Sequence, residues 1–303
     1  MGAAEKAVER PTQSAGTDVP ALPPAKGVRL LDVALIAYGR AFEHPAKIRF
    51  VRWLVRRLAA GRIKVRHAPG AVIAIDPADY IGWAVFSTGH YEPTTLDLAL
   101  RIMAAEPGLF VDVGANFGWY TCAVAAITGS TVVSIEPDCE NCAFLRANIA
   151  LNGSRNVIVF SGAVGPSPAL LPMSRRAPGN SGTVAVSSGE GVCAPDGHWV
   201  AATPLDVLLD RLVRPAARPV LMKIDVEGFE PQALAGLDFN GPFRPKNILL
   251  ECDRALSIPS WGSRDNVAAY FADRGYELLD VFGRPLANEG PLPEENAWAR
   301  DHT

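Results

Sequence analysis

The chain has 303 residues, 49% hydrophobic and 20% charged, so a globular protein with one large core or two small ones is the default. Twenty-nine Lys and Arg stand against 32 Asp and Glu, and the net charge of −3 excludes a global attraction to nucleic acid or anionic membrane. Five cysteines, an odd and sparse set, exclude a disulfide-stapled scaffold and fit a reducing cytoplasm.

Residues 1–26, rich in Pro, Ala, Ser and Thr, predict a disordered tail. The tail has no apolar core for a secretory leader, and Lys6 stands where a myristoylation pattern wants Ser or Thr. No apolar run approaches the roughly 20 residues of a membrane span, so a soluble, cytoplasmic protein is expected. An extension over 27–88 comes next. "VRLLDVALIAYGRAFEH" and "KIRFVRWLVRRLAAGR" carry helical apolar spacing. The second is basic, with Arg49, Arg52, Arg56 and Arg57, and reads as a helix that packs Phe50, Trp53 and Leu54 and leaves its arginines in water. An exposed apolar face on these helices would favour a homodimer; burial against the sheet is the other option.

"RIKVRH" and "AVIAID" predict short strands around the turn "APG". A helix over Thr95–Ala105 follows. Beyond it, apolar strands at 109–113, 131–135, 157–161, 220–225 and 247–251 alternate with helices at 119–126, 140–151, 205–212, 230–237 and 264–274. That alternation predicts βαβ units and a largely parallel sheet, so 89–303 reads as one domain. Gly, Pro and Ser break the rhythm between about 165 and 203, which predicts an insertion or hairpin. Cys139 and Cys142 form a lone CxxC with no further ligands nearby and read as two small helix residues.

In "LFVDVGANFGWYT" a strand delivers Asp112 to its carboxyl end, and Gly114, Asn116 and Gly118 turn the chain into a helix. Such a turn lets backbone N–H groups approach an anion. Asn116 occupies the second glycine position of the dinucleotide fingerprint, which disfavours a pyrophosphate and leaves a carboxylate or smaller phosphate. "TVVSIEPD" ends in Glu136, 24 residues beyond Asp112, a spacing that suits bonds to ribose hydroxyls. "FSGAVG" could present Ser161, Gly162 and Ala163 to a base. Together these strand ends describe a nucleoside carrying an anionic group.

The sequence resembles the FkbM family of S-adenosylmethionine-dependent methyltransferases in "GHYEP", "FVDVGANFGWYT", "SIEPD", "NSGT", "TPLDVLL", "KIDVEGFE" and "ILLE", in that order across Gly89–Glu251. The resemblance implies a class I methyltransferase fold: α/β, Rossmann-like, a mostly parallel sheet with helices on both faces and one reversed strand at its edge, here with N-terminal helices and a short β insertion. It implies S-adenosylmethionine as cofactor. Asp112, Gly114, Asn116 and Gly118 would surround its methionine part, with Tyr120 and Thr121 from the same block, and Tyr91 and Glu92 would face its amino group. Glu136 with Pro137 would meet the ribose, and Ser161, Gly162 and Ala163 the adenine. "NSGT" would lie over the site, where Ser181 and Gly182 suit a mobile lid. Nothing beyond about Asp280 matches a family block.

"LMKIDVEGFE" starts as a buried strand and ends in charge, which costs several kcal/mol per group unless the charges are paired or used. Lys223 and Asp225 are two apart and share a face. Asp225 and Glu227 are the candidates for orienting an acceptor and taking its proton, Asp225 also lies against the cofactor, and Lys223 would pair with Asp225 or act on the acceptor. Glu230 reads as a first-turn cap. Asp225 with Glu251 could offer oxygens to a divalent ion, but no third ligand is evident and no metal is expected. His90, before His198, is the histidine that could serve as a base.

The expected reaction is O-methylation of a hydroxyl on a sugar, glycolipid or secondary metabolite, a small-molecule or glycan acceptor, with no nucleic acid partner. A nicotinamide-dependent oxidoreductase and a non-catalytic nucleoside-binding module are the alternatives.

Overall fold

A computed structural model describes residues 30–41, 47–58, 63–67, 70–175, 180–186, 197–213, 217–252, 260–286 and 292–302. The expected disordered tail, 1–26, lies outside them, as do parts of the insertion.

Two helices, α1 (Leu30–Ala41) and α2 (Lys47–Leu58), lead into an antiparallel hairpin of β1 (Ile63–Arg66) and β2 (Val72–Ile75). The helix α3 (Tyr80–Thr88) was not legible in the sequence, because "YIGWAVFST" has no charged face to set a period. Asp79 starts it by accepting from the N–H groups of Ile81 and Gly82, and Gly89, at φ 93°, ends it. Then come α4 (Pro93–Ala105), β3 (Leu109–Val113), α5 (Trp119–Ala125), β4 (Thr131–Glu136), α6 (Cys139–Asn152) and β5 (Val157–Ser161). The insertion holds β6 (Ala163–Val164), β7 (Ala169–Arg175), β8 (Val184–Val186) and β9 (His198–Thr203), a four-stranded sheet in the order β6-β9-β7-β8. The chain closes with α7 (Leu205–Leu212), β10 (Pro219–Ile224), α8 (Glu230–Ala235), β11 (Asn247–Glu251), α9 (Arg264–Ala272), β12 (Tyr276–Asp280) and β13 (Asn296–Asp301).

Seven strands form the main sheet in the order β12-β13-β11-β10-β3-β4-β5. β10 pairs in parallel with β3 and β11, β3 with β4, and β4 with β5, while β13 runs against both β11 and β12. The reversed strand therefore lies one position in from the edge, with β12 outside it, and not at the edge itself. Neither β12 nor β13 was read from the sequence: "NAWARD" reads as a strand only beside β11.

Alternation along the strands sorts the core into two layers. Phe110, Leu221 and Leu249 point to the face covered by α4, α5 and the N-terminal hairpin. Val111, Met222 and Leu250 point to the face covered by α7, α8 and α9. The same alternation puts Lys223 on the α4–α5 face, opposite Asp112 in the β3–β10 register.

The hairpin is fastened by α6. Asn148 accepts from the N–H of Ala74 at 2.8 Å and donates to its carbonyl, and Asn152, one turn on, does the same to Val72. Two amides at this spacing stand in for a neighbouring strand and satisfy the edge of β2. His67 donates from Nε2 to the Trp119 carbonyl at 2.7 Å, and burial lowers its imidazole to about 4, so it is neutral. Extension and glycine turn are thus joined at the start of α5.

Candidate active site

Three strand ends converge on a cleft of about 970 Å³ of open space, mouth included. The turn after β3 is its floor. Gly114 lies at φ 83°, and a side chain there would run into the Asp225 carbonyl, so close packing of this turn on the end of β10 requires glycine. Asn116 lies at φ 49°, a conformation Asn tolerates better than most residues, which explains its place in an otherwise glycine-rich turn. Its N–H donates to Glu136 Oε2 at 2.7 Å, while its Oδ1, buried in the cleft wall, has no protein partner.

Glu136 ends β4 almost fully buried. Its Oε1 accepts from the N–H of Asp138 at 2.9 Å and more weakly from Asn141 Nδ2 at 3.5 Å. Burial pushes its carboxyl up to about 8, against the pull of these N–H bonds. Asp112, equally buried, accepts from Thr121 Oγ1 at 2.6 Å; burial raises it to about 6, opposed first by Lys223.

The charged end of β10 is a network. Lys223 Nζ lies 2.6 Å from Asp225 Oδ2 and 4.7 Å from the centre of the Tyr120 ring. Burial alone would lower the ammonium, but Asp225, Glu92 and Asp112 reverse that and hold it above its usual range. Tyr120 donates from its hydroxyl to Glu92 Oε2 at 2.7 Å. Burial raises the Glu92 carboxyl, with Lys223 opposing. Beyond β10 the chain turns through Glu227 (φ 56°) and Gly228 (φ 92°), and Glu230 fastens that turn by accepting from the N–H groups of Val226 and Gly228 at 3.2 and 3.0 Å. Burial lifts Glu230 to about 7; it stands in the first turn of α8 as expected, but the N–H groups its side chain holds are those of the preceding loop, not of the helix.

Glu251, at the end of β11, joins the same wall. Carboxylate oxygens of Asp225, Glu227 and Glu251 all lie within 4.8 Å of one another, so the acid that the sequence lacked for a divalent site is Glu227. Burial, then Asp225 and Glu227, push Glu251 well above the usual carboxylate range.

Of the residues singled out from sequence, Tyr91, Asp112, Gly114, Asn116, Tyr120, Glu136, Pro137, Ala163, Lys223, Asp225 and Glu227 line the cleft. Glu92 and Thr121 stand one layer behind, bonded to Tyr120 and Asp112. Gly118, at φ 93° where α5 begins, and Gly162, whose N–H donates to the Glu136 carbonyl, do not line the cleft. Ser161 is exposed and turned to Cys142 Sγ and Arg146, and His90 is exposed; neither lines the cleft, nor does His198 on β9. Cys139 and Cys142 are helix residues of α6, one exposed and one buried.

Sequence reasoning missed Ile81, Asn141, Met173 and Phe229, which complete the walls, and the way "NSGT" is held. Ser181 and Gly182 do line the cleft, but the Ser181 N–H donates to Asp79 at 2.5 Å and its carbonyl accepts from Asn141 Nδ2 at 3.1 Å. The segment is a strap fastened at both sides. Asp79 followed by a helix was the one signal that could have exposed it.

A family model described as Methyltransferase FkbM domain matches residues 112–278, more than half of the chain. No curated protein matches it. Similar solved structures include TYW2 of M. jannaschii in complex with AdoMet, at 12% identity over 79% of this chain and 85% of that one, TM-score 0.38. A precorrin-6y C5,15-methyltransferase of Geobacter metallireducens is 11% identical over 68% and 87%, TM-score 0.39. A ribosomal protein L11 methylase of Lactobacillus delbrueckii subsp. bulgaricus is 12% identical over 71% and 81%, TM-score 0.37. These are loose likenesses from which nothing about the acceptor follows.

Proposed function

Because the chain belongs to the FkbM methyltransferase family, we propose that it moves a methyl group to a hydroxyl oxygen of a small molecule, a sugar, glycolipid or secondary metabolite. Its cofactor is S-adenosylmethionine, which supplies, when bound, an electrophilic methyl on a sulfonium. The oxidoreductase alternative drops out with the family assignment.

The donor set fits that cofactor. Asn116 Oδ1 and Ser181 Oγ are buried polar atoms in the cleft wall without a protein partner, and a ligand rich in donors would satisfy them. Glu136 lines the cleft, where hydroxyl groups of the ligand would meet its carboxyl. The Asp112 and Gly114–Asn116 turn would hold the amino-acid part, with Tyr91 at its amino group and Glu92 supporting that corner from behind through Tyr120, and Pro137 and Ala163 would border the nucleoside.

The observation that carries the reaction is the Lys223–Asp225 pair in the wall of the cleft. Asp225 hangs from β10 directly beside the glycine turn, its own N–H held by the Val113 carbonyl at 3.0 Å. Lys223 fixes one of its oxygens and leaves the other to orient an acceptor hydroxyl and take its proton. Glu227 brings a second carboxylate oxygen within 4.8 Å of Asp225 on the same wall. The apolar side chains of Ile81, Met173 and Phe229 keep water from the reacting oxygen. Incubation with labelled S-adenosylmethionine and a panel of hydroxylated acceptors tests the proposal: label on an ether oxygen is expected, and label confined to nitrogen or carbon acceptors rules out the hydroxyl reading.

A further inference from the structure

The segment after β12 lies beyond the family match at 112–278, yet it is wired into the site. α4 begins at Glu92, a non-glycine residue at φ 44°, whose side chain makes no capping bond because it is given to Tyr120. The first turn of a helix leaves N–H groups without partners, and Pro93 removes only one of them. Glu294 takes two of the others from 200 residues away: Oε1 accepts from the Thr94 N–H at 2.9 Å, and Oε2 from the Thr95 N–H at 2.7 Å and the Thr95 hydroxyl at 2.9 Å.

The segment itself is tightly specified. Glu294 and Glu295 lie at φ 52° and 57°, an uncommon pair of left-handed residues without glycine. The Glu295 carbonyl accepts from the N–H of Cys252 at 2.6 Å, next to Glu251. Asn296, 1% exposed and opposite Glu251 in the β11–β13 register, donates to the Glu294 carbonyl at 2.6 Å.

We infer that Glu294 and Asn296 are positioning residues, which hold the Tyr91–Glu92 corner where it meets the amino-acid end of the cofactor. This rests on the reading of Tyr91 and Glu92 given above. Glu294 caps the helix that Glu92 starts, so the Glu92 carboxyl is released to hold the Tyr120 hydroxyl behind the cleft wall; Asn296 in turn holds the Glu294 backbone.

Full-length Glu294→Ala, Glu294→Gln and Asn296→Ala are titrated calorimetrically with S-adenosylhomocysteine, which keeps the amino-acid part, and with 5′-methylthioadenosine, which lacks it. Glu294→Ala is expected to weaken the first about tenfold and leave the second within about twofold. Glu294→Gln, which retains one acceptor, falls between, and serves if the alanine variant does not fold. Equal weakening of both ligands means general loss of structure and overturns the inference, as does no weakening of either. Glu92→Gln separates the two readings. If it weakens S-adenosylhomocysteine while the Glu294 variants do not, the inference alone fails; if it changes nothing, the reading of Glu92 fails and the inference with it.

Discussion

Two acids flank the glycine turn, one at the end of β4 and one after β10, and their surroundings differ in kind. Glu136 is gripped by N–H groups of Asn116, Asp138 and Asn141, and burial still carries its carboxyl to about 8. Asp225 is gripped by an ammonium, Lys223 Nζ at 2.6 Å, which is itself almost wholly buried. Dipoles hold a buried carboxyl in place without neutralising it, whereas a buried cation supplies the opposite charge. The first arrangement suits a fixed acceptor for hydroxyl groups of a bound ligand, and the second a group that takes a proton during reaction.

Asp225→Asn should break the β10 side most visibly. Turnover of a verified acceptor is expected to fall by about 10²–10⁴-fold with S-adenosylmethionine affinity retained. Normal turnover would show that Asp225 is not the base. Lys223→Met strips the cation from Asp225, Glu92 and Asp112 together and should destabilise the fold by about 3–5 kcal/mol. Denaturant melts check it, and an unchanged midpoint would mean that these acids do not depend on Lys223.

On the β4 side, Glu136→Ala should weaken cofactor binding by about 1–3 kcal/mol, read by calorimetry, without the global loss seen for Lys223. Unchanged affinity would remove Glu136 from the cofactor site. The smallest effect is a pH slope. A carboxyl whose folded value lies above its unfolded value keeps its proton longer when folded, so its contribution is fully present below the unfolded value and lost as pH rises through the folded one. With Asp112 near 6 and Glu136 near 8, against ordinary values near 4, stability of the cofactor-free protein should decline between about pH 4 and 8. Glu136→Gln should flatten the upper part of that decline; a slope equal to wild type would contradict the burial that sets Glu136 apart from Asp225.

The sheet was legible where a strand carried its own signal. β3, β4, β10 and β11 are apolar runs that stop at acid or glycine, and each stands within a residue or two of its expected place. β12 and β13 were not, although Gly275, at φ 78°, marks a turn just before β12, and β13 gains its meaning by pairing against β11. The site divided the same way. Asp112, Glu136, Lys223 and Asp225 were readable from strand ends, and His90 and Ser161 were placed too near the chemistry because a motif gives neighbourhood in sequence, not direction in space.

What this sequence determined by itself was the alternation of strands and helices, the glycine turn, and the charged end of a buried strand, because hydrophobic period and turn chemistry act between residues a few positions apart. Only the tertiary structure decided that Lys223 faces Asp112 and Tyr120, that Asp79 holds Ser181, that Asn148 and Asn152 complete the hairpin, and that Glu294 caps α4. Those pairings join residues far apart in the chain, and the protonation of each acid depends on how much water the folded whole excludes from it.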